Sequence, residues 1–436
     1  MKTGVSPSLS TPLQIGTMTA AGRLFKSATS ETRATDDGHV TDELLDFYRP
    51  MIAARTPLII TGNLFVSLQG KSAGRQAGID DDDKLPGLRS WVDEASSGGS
   101  LLVAQLNHGG RQVARSADGK RPVSAWNVRE PLYGTKPRPL HSEELPALVE
   151  TFAAAAERAQ RAGFDGVQIH AAHGYLLGQF LTPHTNRRTD QYGGSLDNRM
   201  RLLLQVYRAV RARVGDQFPI LAKMNGTDML PLRRGASTSE LVRVAKALQE
   251  EGIDAIEISR GHYESWPGMV LGHYKGYVHS QLTEGAGTKL SARRRAVLLA
   301  AAPIAERVAE ALAPGSEGFN LPQAEVFTRT LSIPVICVGG FHTKPVMEQA
   351  ISEGKCDAVS AARAMIADPY LYRNVTGKPT KGHPVCGYCN GCIARFSGKR
   401  IDCYSDSIRI RRDLMLHPEP SSRAQCAVTP TAAQAG

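Results

Sequence analysis

His170-Ala-Ala-His173-Gly-Tyr175 places two imidazoles three residues apart and a phenol two further on, directly after the apolar run Gly166-Val-Gln-Ile. A short apolar run of this kind reads as a buried strand, which puts the three side chains on the loop at its end. Imidazoles and a phenol held together are groups that can carry acid–base chemistry. An H-x-x-H pair can equally be structural or hold a metal. The loop continues through Asn186-Arg-Arg-Thr-Asp-Gln-Tyr-Gly-Gly-Ser and leads into an amphipathic helix, Leu196 to Arg213.

The elements that must position this loop recur along the chain. Apolar or β-branched runs stand at Leu24-Phe25, Leu58-Ile-Ile, Leu101 to Ala104, Val167 to Ile169, Ile220 to Ala222, Ala255 to Ile258, Val335 to Val338 and Asp357 to Ser360. Between them, 42–53, 84–96, 143–161, 196–213, 239–250 and 344–351 carry apolar residues at helical spacing. Strand and helix in alternation predict a parallel sheet, and eight repeats predict a closed (β/α)8 barrel. Gly163-Phe-Asp-Gly and Gly252-Ile-Asp-Ala read as its helix-to-strand turns. The rival, a doubly wound nucleotide-binding fold, normally carries G-x-G-x-x-G after a strand; no such stretch occurs here.

Chemistry in such barrels sits at the C-terminal strand ends. These ends offer Ser27-Ala28-Thr29, Gln105 to Arg111, His170 to Tyr175, Lys223, Gly339-Gly340 and Ala362-Arg363. The loops after strands seven and eight often hold a phosphate, with glycines admitting backbone N–H groups and an arginine adding charge. Gly339, Gly340 and Arg363 fit that role, although glycines also simply turn a chain.

Arg23-Leu-Phe-Lys-Ser-Ala-Thr, Gln105-Leu-Asn-His-Gly-Gly-Arg and above all the stretch from His170 to Arg199 resemble the old yellow enzyme family of FMN-dependent NAD(P)H oxidoreductases, over about residues 11–375. The resemblance implies FMN as cofactor, NADH or NADPH as electron donor, and an α,β-unsaturated carbonyl compound as substrate. It places Ser27, Ala28 and Thr29 against the flavin, with Gly62 in the same site, Gln105 on the pyrimidine edge and Lys223 beside N1 and O2. Gly339, Gly340, Ala362 and Arg363 hold the phosphate. His170 and His173 bind the substrate carbonyl, and Tyr175 protonates the α-carbon. Lys223 stands where many members have Arg, Ala362 where Gly is usual, and Thr29 where one subgroup has a redox-tuning Cys.

Cys386, Cys389, Cys392 and Cys403 form C-x2-C-x2-C-x10-C, four of seven cysteines within eighteen residues. Thiolates at this spacing suit a [4Fe-4S] cluster, a structural zinc ion, or free thiols, and the three readings stand open. The segment resembles that of 2,4-dienoyl-CoA reductases and trimethylamine dehydrogenases. With a cluster, the flavin would instead serve a dehydrogenase or demethylase that sends electrons to a separate carrier. A non-enzymatic redox sensor is the third reading, which the His170, His173 and Tyr175 set opposes.

The organisation expected is a barrel over 1–375, with an insertion at 260–332 serving as a lid, a cysteine segment over 376–415 and a disordered tail over 416–436. Tyr263, Trp266, Tyr274 and Tyr277 in the insertion suit a planar substrate or simple packing. The net charge of +10 is scattered, which opposes a nucleic-acid partner. No secretory leader or run of roughly 20 apolar residues is evident. A cytoplasmic homo-oligomer without membrane contact is expected.

Overall fold

A computed structural model describes residues 7–417, apart from Arg115 and Pro231. The expected tail lies outside the described residues from position 418 onward. Strands β1 (Leu24–Lys26), β2 (Leu58–Phe65), β3 (Leu101–Asn107), β4 (Gly166–Ala171), β5 (Ile220–Asn225), β6 (Ala255–Ser259), β7 (Val335–Val338) and β8 (Ala358–Ala361) are parallel and pair in chain order. β8 pairs back with β1 and closes the barrel. Each coincides with one of the eight apolar runs.

The surrounding helices begin and end on local signals. Helix α1 (Asp42–Ala53) starts at Thr41, whose hydroxyl accepts from the Leu44 N–H. Prolines occupy the first turn of α2 (Leu85–Ser97) and α3 (Leu145–Ala162). Helix α4 (Leu196–Val214) starts at Ser195, the last residue of the Gly-Gly-Ser segment, whose hydroxyl accepts from Asn198 N–H. A reciprocal Ser237 and Glu240 box opens α5 (Thr238–Glu250). Gly163 and Gly252, at φ 95° and 97°, make the two turns read from the sequence.

Alternation along the strands builds two layers inside the barrel. Phe25, Leu58, Ile60, Val103, Leu221, Ala255, Ile336 and Ala358 form an apolar lower layer. An N-terminal hairpin, Leu13–Ile15 with Met18–Ala20, packs against it and seals the base. Two residues further along, the inward positions become Ser27, Gln105, Gln168, Lys223, Glu257 and Ser360, all buried. The switch from apolar to polar halfway up the barrel lays a hydrogen-bonding floor beneath the C-terminal mouth.

The insertion after β6 is shorter than 260–332. Its main helix is α6 (Ala292–Leu312), but the last part folds as α7 (Leu321–Thr330), which packs against α5 and β7 as a barrel helix. The insertion is seated by Glu264, which accepts from Arg111 Nη2 at 2.5 Å and lies 3.0 Å from His184 Nε2. Of its aromatics, Trp266, Tyr274 and Tyr277 pack on one another, with Trp266 and Tyr277 stacked at 4.7 Å. Packing is therefore their role. After α8 (Lys344–Ser352) and α9 (Arg363–Ala367), the cysteine segment returns across the barrel mouth. It ends in α10 (Asp406–Leu416), a helix that the sequence reading did not foresee.

Candidate active site

The polar floor is one connected network. Glu257 is fully buried and its carboxylate accepts from Ser27 Oγ at 2.8 Å, Ser360 Oγ at 2.7 Å and Gln168 Nε2 at 2.9 Å. Lys223 Nζ stands 3.1 Å from the same carboxylate and donates to Ser27 Oγ at 2.8 Å. Burial would raise the Glu257 pKa, but Lys223 and the three donors outweigh it and hold the group ionised. Because the carboxylate only accepts, Gln168 must turn its nitrogen to Glu257 and its oxygen to Gln105, whose Nε2 donates at 2.6 Å. The network thus fixes both amides and presents the Gln105 amide and the Lys223 ammonium at the mouth. Gln168 and Glu257 escaped the sequence reading, although a polar residue inside a buried strand run was the available signal.

At the end of β1, Lys26 is buried outside the barrel wall and donates to the Ser27 carbonyl at 2.5 Å and to Thr29 Oγ1 at 3.0 Å. An ammonium only donates, so Thr29 accepts and its own O–H is left to donate elsewhere. Burial lowers the Lys26 pKa to about 8, against the opposing pull of Glu31. Glu31 accepts from the Tyr48 hydroxyl, and Gly62 N–H donates to Tyr48 at 3.1 Å. Gly62 lies against this loop: a methyl group there would stand 2.5 Å from the Thr29 carbonyl and closer still to the Glu31 carboxylate. Gly62→Ala is expected to cost about 1–3 kcal/mol by overpacking. Thermal melts and bound-flavin absorbance check it, and an unchanged melting temperature would show that the loop yields freely.

The β4 loop brings His170 and Tyr175 together, with ring centroids 4.8 Å apart. His170 Nδ1 accepts from the Ala172 N–H at 3.2 Å, which leaves the proton of the neutral ring on Nε2. Burial, with His173 and Lys223 nearby, keeps His170 neutral by lowering its pKa well below the usual value. His173 adopts a left-handed φ of 57°, costing roughly 1–2 kcal/mol for a residue with a Cβ. Its N–H donates to Asn225 Oδ1 at 3.1 Å, and its Nε2 lies 2.7 Å from Ser259 Oγ. Burial and Lys223 push its pKa down to about 3. Tyr175 is pushed up to about 12 by burial and by Tyr133, while Ser72 and Asn63 act in the opposite sense.

Two adjoining cavities lie over this floor. The smaller, about 80 Å³, is lined by Ala28, Thr29, Asn63, Gln105, His170, Tyr175 and Lys223. The larger, about 290 Å³, shares Thr29 and Tyr175 and extends to Gly339, Gly340, Ala362 and Arg363. Thus most residues predicted from separate strand ends meet along one continuous space. His173 is not among the lining residues but adjoins both cavities, its ring 5.1 Å from that of His170 and its Nε2 on Ser259, which lines the larger one; Gly62 and Ser27 support the site from behind. Asn63 Oδ1 and Asn320 Oδ1 are buried without a partner, one beside each cavity. A flat polar ligand with a phosphate tail, as FMN is, fits such an elongated space with polar groups at both ends. Tyr388, Ile393, Phe396 and Ile401, from the cysteine segment, also wall the larger cavity. No local pattern marks them as site residues.

Residues 8–293 match the pattern of the NADH:flavin oxidoreductase / NADH oxidase family. The chain belongs to that family. It is 31% identical to a metal reductase of Desulforamulus reducens over 97% of the chain, spanning 55% of that protein. It is 30% identical to a 4,4'-dithiodibutanoate disulfide reductase of Rhodococcus erythropolis, covering 90% of the chain and 94% of that relative. Among solved structures it resembles an old yellow enzyme homologue of Zymomonas mobilis, with 25% identity, a TM-score of 0.66, and coverage of 87% and 94% of the two chains. The chain spans about half the length of the first curated relatives it matches, 55% of each.

Cys386, Cys389, Cys392 and Cys403 line one small void of about 20 Å³ together with Arg363. Burial raises the Cys386, Cys392 and Cys403 pKa values, Cys392 to about 12, so the thiols hold their protons. Among the described residues, no three His, Cys, Asp or Glu side chains converge on a single ion. Among the described residues, no helix is long and apolar enough to cross a membrane.

Proposed function

We infer that the protein reduces the C=C bond of an α,β-unsaturated carbonyl compound. The observation that carries this reading is that His170 and Tyr175 wall the same cavity above the Gln105 and Lys223 floor. When bound, FMN supplies the hydride, taken from NADH or NADPH and passed to the substrate β-carbon. Lys223, held in place by Glu257, would stabilise negative charge on the reduced flavin. Gln105 and Thr29 would hold the ring system by hydrogen bonds, and Gly339, Gly340, Ala362 and Arg363 would hold the phosphate. His170 donates from Nε2–H to the substrate carbonyl oxygen, stabilising charge that builds there as hydride arrives. His173, beside His170 and held at Nε2 by Ser259, braces the loop. Tyr175 gives its proton to the α-carbon, which completes the addition of two hydrogens across the bond.

Anaerobic stopped-flow mixing tests the reading. NADH or NADPH is expected to bleach the flavin, and a simple cyclic enone to restore its colour. A flavin reoxidised by a disulfide but by no enone would replace this substrate class with the one named for the Rhodococcus relative.

A second reading is favoured by Cys392, which lines both the larger cavity and the cysteine void. There the four thiolates would hold an iron-sulfur cluster next to the flavin, and electrons would leave toward an external carrier. The donor set, four thiols around one void, suits it. Iron and sulfide analysis of anaerobically purified protein tests for the cluster, and the inability of either nicotinamide coenzyme to bleach the flavin would favour the outward flow of electrons.

A further inference from the structure

We propose that Asn390 and Tyr388, from the cysteine segment, are positioning residues of the FMN phosphate site, so that this segment sets how tightly the flavin is retained. The proposal rests on the phosphate placement given above and goes beyond it. Arg363 opens α9 at the end of β8, and its Nη1 donates to Asn390 Oδ1. Its guanidinium lies 4.6 Å from the centre of the Tyr388 ring. The Tyr388 hydroxyl donates to the Gly340 carbonyl at 2.9 Å and stands 3.3 Å from that of Phe341. One ring therefore braces both halves of the phosphate site, the arginine after β8 and the glycine turn after β7.

The amide of Asn390 can point only one way. Arg363 has no acceptor, so Oδ1 must face it, and Nδ2 then donates to the His273 carbonyl at 3.1 Å in the insertion. His273 N–H in turn donates to the Tyr388 carbonyl at 2.9 Å. Tyr388 and Asn390 are buried and take left-handed φ values of 49° and 57°, which residues with a Cβ rarely adopt. Such a backbone persists where its surroundings over-determine it. A flexible arginine held in place before the ligand arrives loses less freedom on binding, and that difference appears as affinity. Cys386, Cys389 and Cys392 bracket these two residues in sequence.

The test compares FMN with riboflavin, the same flavin without its phosphate. The full chain is stripped of flavin and titrated with each, reading dissociation constants from fluorescence quenching. Arg363→Ala, Asn390→Ala and Tyr388→Leu are each expected to weaken FMN about tenfold or more, the loss of a charge-assisted contact. Riboflavin should stay within about twofold, since the contact it lacks is the one lost. Asn390→Asp, nearly the same shape, keeps the test open where the alanine variant folds poorly. Its carboxylate would neutralise Arg363 and weaken FMN selectively. The proposal is overturned if FMN and riboflavin weaken in parallel, which marks a merely structural role. It is equally overturned if the Asn390 and Tyr388 variants keep the wild-type ratio while Arg363→Ala collapses it. A retained ratio in Arg363→Ala itself would remove the phosphate placement along with the inference.

Discussion

Tyr175→Phe is expected to slow reoxidation of the flavin by an enone about 10²-fold or more, the usual contribution of a positioned general acid, while bleaching by NADH or NADPH keeps its rate. The two half-reactions separate because hydride transfer to the flavin needs no proton at the substrate α-carbon. Stopped-flow traces of each half-reaction read the split directly. The pH dependence follows from the environment of the site. The phenol acts while protonated and is pushed up to about 12, so its activity is lost only as pH rises toward that value. The nearby imidazoles are pushed down, His170 well below its ordinary value and His173 to about 3. An inflection of the enone half-reaction near pH 8 is therefore expected to report Lys26, which holds Thr29 and is lowered to about 8, rather than an imidazole or the phenol. A wild-type rate in the phenylalanine variant would hand the proton to another donor, with Tyr133 and Tyr263 as neighbouring phenols.

Lys223→Met is expected to cost about 3–5 kcal/mol of stability, the penalty for leaving one member of a buried ion pair without its partner. Flavin should be lost with it, since the same ammonium faces the pyrimidine end of the cavity. In the native chain the Glu257 pKa is lowered, so the pair stabilises the fold above the ordinary carboxylate value and loses that contribution as pH falls through the lowered one. Removing Lys223 reverses the balance. Burial is then the strongest influence on Glu257, its pKa rises above the unfolded value, and stability falls as pH rises between the two. Urea melts at pH 5 and pH 8 distinguish the chains. The variant should be the more stable at the lower pH, whereas the native chain should not gain on acidification. Equal behaviour would mean that Ser27, Ser360 and Gln168 suffice to hold the carboxylate.

Much of the barrel was legible because its determinants are local. Apolar runs two to four residues long and glycine at positions 163 and 252 act within a few residues of themselves. The strand ends could be named for the same reason, and with them Thr29, Gln105, His170, Tyr175, Lys223, Gly339, Gly340 and Arg363. Folding then had only to bring these ends to one mouth, which a closed parallel barrel does by construction. The insertion was drawn too long because α7 carries an ordinary amphipathic pattern with no mark of where the loop before it stops.

Contacts between distant segments were not legible, because hydrogen-bond direction and burial depend on partners far away in the chain. Glu257 reads as a lone charge in a strand until Ser27, Gln168, Lys223 and Ser360 surround it. His173 looks equivalent to His170 in the motif, yet it takes a left-handed backbone and its Nε2 meets Ser259, a partner 86 residues away in the chain. Asn390 and Tyr388 are unremarkable in sequence and acquire a role only where the returning chain meets Arg363. Spacing along the chain thus settled which side chains stand at the mouth, whereas the packing of remote segments decided where each donor points, because a donor takes its direction from its nearest acceptor in space.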